Sequence, residues 1–194
     1  MLDKKFTELL GKKALIMGDV GAGKTRLTLR LLTEAVNLGY AREITLIDMA
    51  PATVIREGRK VGGKIREFTD IVKRIRYLTP QIVETPRLSA HSSDELLQLV
   101  KTNKERIDPL LKEYLENPTK IAFINDMSMY FQSGAFDLIL SVSRKADTFV
   151  ANGYYGKFFA FDFGTGVSKI ERDLMDKLAQ YMDIVMRIER SGSK

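Results

Sequence analysis

The sequence has no cysteine and no tryptophan, and its only histidine is His91. Without cysteine it can form neither disulfides nor a Cys-ligated zinc or iron–sulfur site, and a single histidine argues against a His-rich metal site or a Ser-His-Asp triad. No apolar run approaches the about 18 residues that a membrane-spanning helix needs. The first ten residues carry four charges and lack the apolar stretch of a signal peptide. We therefore expect a cytoplasmic protein with no membrane insertion.

Positive charge is concentrated in one segment. The chain has 194 residues, with 31 Lys and Arg against 25 Asp and Glu, a formal net charge of +6. Residues 56–76 contain eight basic and three acidic side chains, and so hold nearly all of the excess. Such a segment suits contact with phosphates of a nucleotide or nucleic acid, or with an acidic protein partner. A solvated loop and helix face is the alternative, and Gly58, Gly62 and Gly63 predict a mobile loop over 56–64.

Strand and helix patterns alternate along the chain. Apolar runs predict strands at residues 14–17, 44–47, 71–78, 121–124, 148–151, 157–163 and 183–189. Periodic apolar positions and capping boxes predict helices at 24–38, from Ser92 to a break near Asp108-Pro109 and on as a second piece, at 135–145, and from Ser168 to about Met182. This alternation is typical of a three-layer α/β/α fold with a mainly parallel sheet. We expect a single domain over residues 1–194, with its core at about 12–190.

Residues 18–25 read Gly-Asp-Val-Gly-Ala-Gly-Lys-Thr, the G-x-x-x-x-G-K-[ST] pattern of a P-loop, or Walker A motif. A predicted strand precedes it and a predicted helix follows it, as the motif requires. The glycines let the loop curl so that its N–H groups face an anion, and the helix dipole adds positive potential. We expect Lys24 to reach the β- and γ-phosphates and the Thr25 hydroxyl to bind Mg²⁺. The predicted nucleotide-binding residues here are Gly18, Asp19, Val20, Gly21, Ala22, Gly23, Lys24, Thr25 and Arg26.

Two acidic residues follow strands that should end beside this loop. The run 120–126 ends in Asp126 after apolar residues, which is the Walker B form, and the strand ends of a parallel sheet share one crevice. Asp126 is therefore the predicted metal-side acid. Asp48 ends an earlier strand and is the alternative, as metal-side acid or as the group that orients the attacking water. Many P-loop ATPases place a Glu beside such an Asp, but Met127 and Met49 stand there, so the catalytic base is unassigned.

The signals of a guanine-nucleotide site are missing. Residues 126–129 read Asp-Met-Ser-Met instead of D-x-x-G, and residues 152–155 read Asn-Gly-Tyr-Tyr instead of N-K-x-D. We therefore expect ATP rather than GTP. Asn152 stands where many ATPases have a polar sensor of the γ-phosphate, with a plain turn at Asn152-Gly153 as the alternative.

The order of these parts resembles that of the RecA/KaiC-like ATPases: P-loop, helix, second strand, connecting region, long helix, Walker B strand, helix, and a strand with a polar tip. The resemblance covers residues 12–190, and within it only the P-loop is highly specific. It implies binding of ATP with Mg²⁺ and, often, assembly into a homo-oligomer in which one subunit offers an arginine to its neighbour's nucleotide. Arg56, Arg59 and Arg144 are the candidates for that arginine, with an ordinary surface position as the alternative for each.

Three functions fit these features. The first is an Mg-dependent ATPase that couples hydrolysis to a conformational or assembly change, with Lys24, Asp126 and Asp48 as its catalytic residues. The second is a small-molecule kinase in which the basic segment closes over the phosphates, although no acceptor-binding signature is recognisable. The third is a nucleotide-sensing or nucleic-acid-associated module that hydrolyses little ATP, which the missing Glu favours.

Three smaller features have plain structural interpretations. His91, just before a predicted helix, is expected to be solvated or capping. Six aromatic residues between positions 154 and 163 are expected to pack as a hairpin against the core, with base stacking, adenine contact or an oligomer surface as alternatives. Residues 164–166 read Gly-Thr-Gly and are expected to form a connecting turn, or alternatively a second loop at the nucleotide site.

Overall fold

The computed structural model describes residues 4–56 and 58–189. Its strands are β1 (Lys13–Gly18), β2 (Ile44–Asp48), β3 (Val54–Arg56), β4 (Arg59–Val61), β5 (Arg76–Leu78), β6 (Ile121–Asn125), β7 (Thr148–Tyr154) and β8 (Ile184–Ile188). Its helices are α1 (Lys24–Asn37), α2 (Pro86–Ser89), α3 (Ser93–Glu116), α4 (Ser128–Phe131), α5 (Asp137–Lys145) and α6 (Val167–Ala179). None of these described helices is both long and apolar enough to cross a membrane.

Six strands form one sheet in which every neighbouring pair is parallel. Their order across the sheet is β5-β2-β6-β7-β1-β8, while β3 and β4 form a separate antiparallel hairpin. The strand that precedes the glycine loop, β1, is thus separated from β6 by β7 alone. Because the carboxyl ends of parallel strands lie at one edge of a sheet, the residues that follow β1, β2, β6 and β7 gather there.

Both faces of this sheet are buried, because residues along each strand point alternately to two apolar clusters. In β1, Ala14 and Ile16 pack in the cluster that contains the apolar face of α1. Leu15 and Met17 pack in the cluster that contains those of α3, α5 and α6. Helices therefore cover the sheet on both sides, and the predicted three-layer α/β/α fold is confirmed.

Helix α3 continues where the sequence predicts a break, so that prediction is wrong. Pro109 lies inside the helix, although a proline there removes a backbone hydrogen bond at a cost of about 3 kcal/mol. Ile107 and Leu111, on either side of it, are both fully buried and continue one apolar face. The Asp108 carboxylate accepts a hydrogen bond from the Tyr130 hydroxyl at 2.6 Å instead of capping a new helix. Burial along the whole face outweighs the local cost.

The basic segment differs from its prediction in two places. Residues 54–56 and 59–61 pair as the two strands of the β3–β4 hairpin, where the glycines predict a mobile loop over 56–64. Gly58 has a φ of +69° and lies between the two strands, in the left-handed conformation that hairpin turns favour. The strand predicted over 71–78 is extended only at 76–78, since Ile71–Arg74 is a 3-10 helix.

Residues 157–163 form no strand, contrary to the prediction. Side chains here supply the backbone partners that a neighbouring strand would give. Tyr154 Oη accepts a hydrogen bond from the Phe159 N–H at 2.9 Å, and Asp19 Oδ2 accepts one from the Lys157 N–H at 3.1 Å. This irregular segment is thereby tied to the glycine loop through Asp19.

Helix α6 begins without the capping box that Ser168 and Glu171 predict. Its N-cap is Gly166, and Asp162 Oδ2 accepts a hydrogen bond from the Ser168 N–H at 2.9 Å. Glu171 is instead buried and forms an ion pair with Arg87. A carboxylate from the preceding loop thus takes the place of the expected cap, and Glu171 is left for an interior contact.

Candidate nucleotide-binding site

The glycine loop turns sharply between β1 and α1. Gly21 and Gly23 have left-handed backbones, with φ of +74° and +96°, which glycine adopts without strain. At Gly18 an added Cβ would lie 2.5 Å from the carbonyl oxygen of Ile188, so a larger residue would push the ends of β1 and β8 apart. Helix α1 starts at Lys24 directly after the loop. Loop N–H groups that lead into a helix N-terminus form an arrangement that binds anions.

The ammonium of Lys24 packs against this loop. Its Nζ donates hydrogen bonds to the carbonyl oxygens of Gly18 at 2.8 Å and Asp19 at 2.9 Å. Burial lowers the pKa of Lys24, and the carboxylates of Asp126, Asp19 and Glu171 oppose that shift. A phosphate would favour the ionised lysine in the same way, because it brings further negative charge to the ammonium.

Asp126 follows β6 at the same edge of the sheet. Its φ of +58° is left-handed, a conformation that aspartate adopts more readily than most residues. Its N–H donates to Asn152 Oδ1 at 3.0 Å, and its Oδ1 accepts a hydrogen bond from Ser128 Oγ at 2.9 Å. Burial raises the pKa of Asp126, whereas Lys24, Ser128 and Arg87 lower it. The bend after β6 therefore places a carboxylate within electrostatic reach of the loop lysine.

Asn152 lies on β7, which continues beyond it, so the alternative of a turn at Asn152-Gly153 is wrong. Its Nδ2 donates to Thr28 Oγ1 and to Asn125 Oδ1, both at 2.8 Å. Its Oδ1 accepts the hydrogen bond from Asp126 described above. The Asn152 side chain thus joins α1 to the end of β6 and fixes the backbone of the metal-side candidate.

Asp48 ends β2, but its carboxylate is fully buried and surrounded by donors. Oδ1 accepts hydrogen bonds from Asn125 Nδ2 at 2.8 Å and the Ala50 N–H at 3.3 Å. Oδ2 accepts from the Ile65 N–H at 2.7 Å and the Tyr77 hydroxyl at 2.8 Å. Burial raises the pKa of Asp48, and these donors oppose the shift. The contacts anchor the segment after the hairpin to the end of β2.

A cavity of about 400 Å³ lies between the glycine loop, the strand ends, the hairpin and α2. The predicted nucleotide-site residues that line it are Val20, Gly21, Gly23, Lys24, Thr25, Arg26, Asp126 and Asn152. The predicted residues that do not line it are Gly18, Asp19, Ala22 and Asp48. Gly18 and Asp19 instead hold Lys24 through their carbonyl oxygens, whereas Asp48 faces the interior.

A buried ion pair at this cavity has no signal in the sequence. Arg87, from α2, lines the cavity, and its Nη2 lies 2.6 Å from Glu171 Oε2 on α6. The guanidinium carbon lies 5.3 and 4.8 Å from the ring centroids of Tyr154 and Phe159, a cation–π arrangement. Burial raises the pKa of Glu171 to about 7, although Arg87 opposes the shift. No local pattern links residues so far apart in the chain.

Of the three arginines predicted to reach a neighbour's nucleotide, only Arg144 has a described side chain. Arg144 is exposed on α5, and its guanidinium carbon lies 5.7 Å from the Tyr181 ring centroid. Arg144 does not line the cavity. The side chains of Arg56 and Arg59 lie outside the described part of the chain, so their predicted role stays a prediction.

The smaller sequence features have simple places in the fold. His91 is exposed, and its N–H donates to Glu95 Oε2 at 2.7 Å just before α3. Among the aromatic residues, Tyr154 and Phe159 line the cavity, although no hairpin is formed. Residues 164–166 lead into α6 and do not line the cavity.

The oxygen groups at the cavity fit a hydrated Mg²⁺. This ion usually takes one or two carboxylates and completes its shell with phosphate oxygens and water. Asp126 offers a carboxylate and Thr25 a hydroxyl, and both line the cavity. Within residues 4–56 and 58–189, no three Asp, Glu or His side chains cluster as a metal site. A metal ion here would thus depend on the oxygens of a bound phosphate.

No family model and no curated protein matches this chain. Among solved structures it is similar to the flagellar accessory protein FlaH from Methanocaldococcus jannaschii, at 13% identity and a TM-score of 0.47, over 91% of this chain and 70% of that one. It is also similar to the DnaC helicase loader, at 12% identity and a TM-score of 0.40, over 93% and 80%. The Pif1 helicase from Candida albicans has 14% identity and a TM-score of 0.39, over 95% and 38%. At these values the likeness concerns the general course of the chain alone.

The fold class follows from the geometry of this chain. A glycine loop joins β1 to α1, and a six-stranded parallel sheet carries it with helices on both faces. The loop lysine and the carboxylate after β6 line one cavity at the carboxyl edge of that sheet. A strand, a glycine loop and a helix in this order form the phosphate site of one large class of α/β proteins. The chain therefore has the fold of the P-loop NTPases.

Proposed function

We propose that this protein binds ATP with Mg²⁺ and hydrolyses it, acting as a single domain over residues 1–194. The main support is that Lys24 and Thr25, at the start of α1, and Asp126, after β6, line one cavity. A nucleotide whose phosphates lie on the glycine loop would contact all three residues. ATP is the proposed nucleotide because both guanine-type sequence signals are missing.

Each residue is assigned a role that its contacts support. Lys24 would exchange its bonds to two loop carbonyls for bonds to the β- and γ-phosphates. Thr25 and Asp126 would hold Mg²⁺, which neutralises charge on the phosphates when it is bound. Asn152 holds the backbone of Asp126 at 3.0 Å, so we assign it to positioning the metal-side acid rather than to sensing the phosphate.

A small-molecule kinase is the second candidate, and the extent of the cavity favours it. Beyond the glycine loop the cavity reaches apolar side chains of Val61, Pro86 and Leu88, and Lys60 on the β3–β4 hairpin. A phosphate acceptor could lie between these residues and the loop. Movement of the hairpin would then shield the transferred phosphoryl group from water.

The basic segment supports a proposed partner, either nucleic acid or an acidic protein. Lys60, Arg66 and Arg74 are exposed, whereas Lys64 is buried and donates to the Thr79 hydroxyl at 2.6 Å. Part of the positive charge is therefore structural and part is displayed at the surface. Displayed cations on one segment attract phosphates or carboxylates of a macromolecule.

Mg-dependent phosphate release from ATP and GTP, measured together with calorimetric binding, tests the proposal. Lys24→Ala removes the ammonium that would bind phosphate, and we expect it to abolish ATP binding and turnover. Lys101→Ala, at an exposed lysine of α3, is the matched control and should behave as the wild type. Lys24→Ala also removes a buried cation that hydrogen-bonds to two loop carbonyls and favours the ionised Asp126. Its unfolding curve should therefore show a folded protein that is less stable than the wild type.

The outcomes separate the candidate functions. Equal ATP affinity in the wild type and Lys24→Ala would refute the assigned site. Equal turnover of ATP and GTP would refute the proposed base preference. Tight ATP binding with no phosphate release would favour the kinase, and small-molecule acceptors would then be screened for phosphorylation.

A further inference from the structure

The guanidinium of Arg87 is buried, but its donors are poorly used. Its side chain is 5% exposed, and a guanidinium carries five N–H donors. Nη2 forms an ion pair with Glu171 Oε2 at 2.6 Å. Two further contacts are long, at 3.4 Å to Ser168 Oγ and 3.5 Å to the Phe159 carbonyl oxygen. Apart from its ion pair with Glu171, Arg87 has only these long contacts among the described residues, so it can bind an anion on its cavity side without losing other strong hydrogen bonds.

Arg87 is also near Lys24. Both cations lie over the ring of Tyr154, with Lys24 Nζ 5.9 Å and Arg87 Cζ 5.3 Å from its centroid. The two cations are therefore at most about 11 Å apart. Both residues line the cavity of the glycine loop, and both favour the ionised carboxylate of Asp126. One polyphosphate chain on the loop can thus contact Lys24 along its length and Arg87 at its end.

Aromatic rings and a carboxylate hold Arg87 in this place. The Tyr154 and Phe159 rings lie on the guanidinium at 5.3 and 4.8 Å. Glu171 balances the charge from α6, and its side chain is 2% exposed. Removing the partner of a buried charge is costly, so Arg87 would leave Glu171 only for another anion. A phosphate bound on the cavity side of Arg87 would be such an anion.

We infer that Arg87 is a catalytic residue that contacts the terminal phosphate of the nucleotide bound by its own subunit. Glu171 is the positioning residue that holds it. This inference rests on the proposed function and differs from the RecA/KaiC-like resemblance, which implies an arginine from a neighbouring subunit. In the reaction, the oxygen of a water molecule bonds to the γ-phosphorus and the bond to the β–γ bridging oxygen breaks. ADP, phosphate and a proton leave, and Arg87 stabilises the charge that develops on the transferred phosphoryl oxygens.

Arg87→Lys is the first test, because it keeps the charge and loses the planar fork of donors. We expect the rate of ATP hydrolysis in a single turnover to fall at least about a hundredfold, since arginines at this position in phosphoryl transfer contribute about 10³-fold or more. ADP affinity should stay within about threefold of the wild type, because ADP lacks the phosphate that Arg87 contacts. Arg187→Lys, at an exposed arginine that also lies over a tyrosine ring, is the matched control and should hydrolyse ATP at the wild-type rate.

Glu171→Gln distinguishes a phosphate-binding Arg87 from a purely structural ion pair. If Arg87 serves the phosphate, removing the competing carboxylate should tighten ATP binding several-fold and leave ADP binding unchanged. If the pair only stabilises the fold, Glu171→Gln and Arg87→Lys should lower stability alike and shift ATP and ADP affinities together, which would overturn the inference. Because it measures binding alone, this comparison also tests whether Arg87 contacts the terminal phosphate if the wild type binds ATP without hydrolysing it.

A mixture of Lys24→Ala and Arg87→Lys subunits tests whether Arg87 acts within its own subunit. Each variant alone should be inactive, and the mixture should stay inactive because no subunit then has both residues. Recovery of activity would show that Arg87 reaches a neighbour's nucleotide and would overturn the inference. If the wild type hydrolyses ATP and Arg87→Lys hydrolyses it at the same rate, the inference is overturned as well, but the proposed function stands. A wild type that binds no ATP would refute the proposed function itself.

Discussion

Replacing Asp48 by asparagine tests whether this carboxylate is structural or catalytic. Asparagine keeps the size of the side chain and one acceptor oxygen, but it introduces an NH₂ group among four donors. One pair of donors then loses its acceptor: either Asn125 and Ala50, or Ile65 and Tyr77. The buried ammonium of Lys64 also loses a negative charge that favours its ionised form.

The expected loss in free energy of unfolding follows from these contacts. A buried donor left without an acceptor costs about 1–3 kcal/mol. If the Tyr77 hydroxyl rotates to accept from the new amide, one donor is orphaned instead of two. The lost charge beside Lys64 adds to this cost. We expect Asp48→Asn to lower the free energy of unfolding by about 3–5 kcal/mol, a large share of the about 5–15 kcal/mol of a typical domain.

Urea unfolding followed by circular dichroism measures this difference. Asp70→Asn is the control, because its side chain is 86% exposed and pairs only at the surface with Lys73, at 2.6 Å. An exposed pair of this kind contributes at most about 1 kcal/mol. A loss below about 1 kcal/mol for Asp48→Asn would refute the reasoning. If Asp48→Asn is as stable as the wild type but loses Mg-dependent ATP binding, Asp48 is instead a metal ligand.

Two further predictions concern charge. Burial raises the pKa of Glu171 from its ordinary 4.5 to about 7, so between these values the folded protein binds more protons than the unfolded chain. Its free energy of unfolding should therefore fall as pH rises from about 5 to about 8, and Glu171→Gln should flatten that slope in urea titrations; equal slopes would contradict the assignment. The basic segment should bind single-stranded DNA more weakly as salt increases. Replacing Lys60, Arg66 or Arg74 by alanine should in each case reduce the slope of log affinity against log salt by about one, whereas Lys101→Ala should not. Fluorescence anisotropy of labelled single-stranded DNA at several salt concentrations measures these slopes.

Sequence reasoning succeeds where a feature depends on neighbouring residues. The loop before Lys24 needs only glycines at fixed spacing, and α1 ends at Asn37, close to the predicted Leu38, because Gly39 has a φ of +95°. The predicted cap of α3 forms as well, since Ser92 Oγ accepts a hydrogen bond from the Glu95 N–H at 3.2 Å. These are contacts within one turn of chain, which local chemistry decides.

Sequence reasoning fails where a local signal competes with a distant contact. Pro109 predicts a helix break, but the continuous apolar face of α3 is buried and keeps the helix whole. Ser168 and Glu171 have the spacing of a cap, but Glu171 meets Arg87 instead. In both cases the tertiary contact buries more surface or charge than the local one, and spacing alone cannot reveal that partner.

The sequence by itself determined the fold class, the glycine loop and the acidic candidates after two strands, because each rests on residue type and short spacing. The tertiary structure decided which of the two acidic residues faces the cavity. Asp126 turns to the cavity with Lys24, whereas Asp48 turns inward to four donors, three of them from distant segments. It also brought Arg87 to the cavity. Strand order and the direction of each strand end set these positions, and both are properties of the packed sheet rather than of any stretch of sequence.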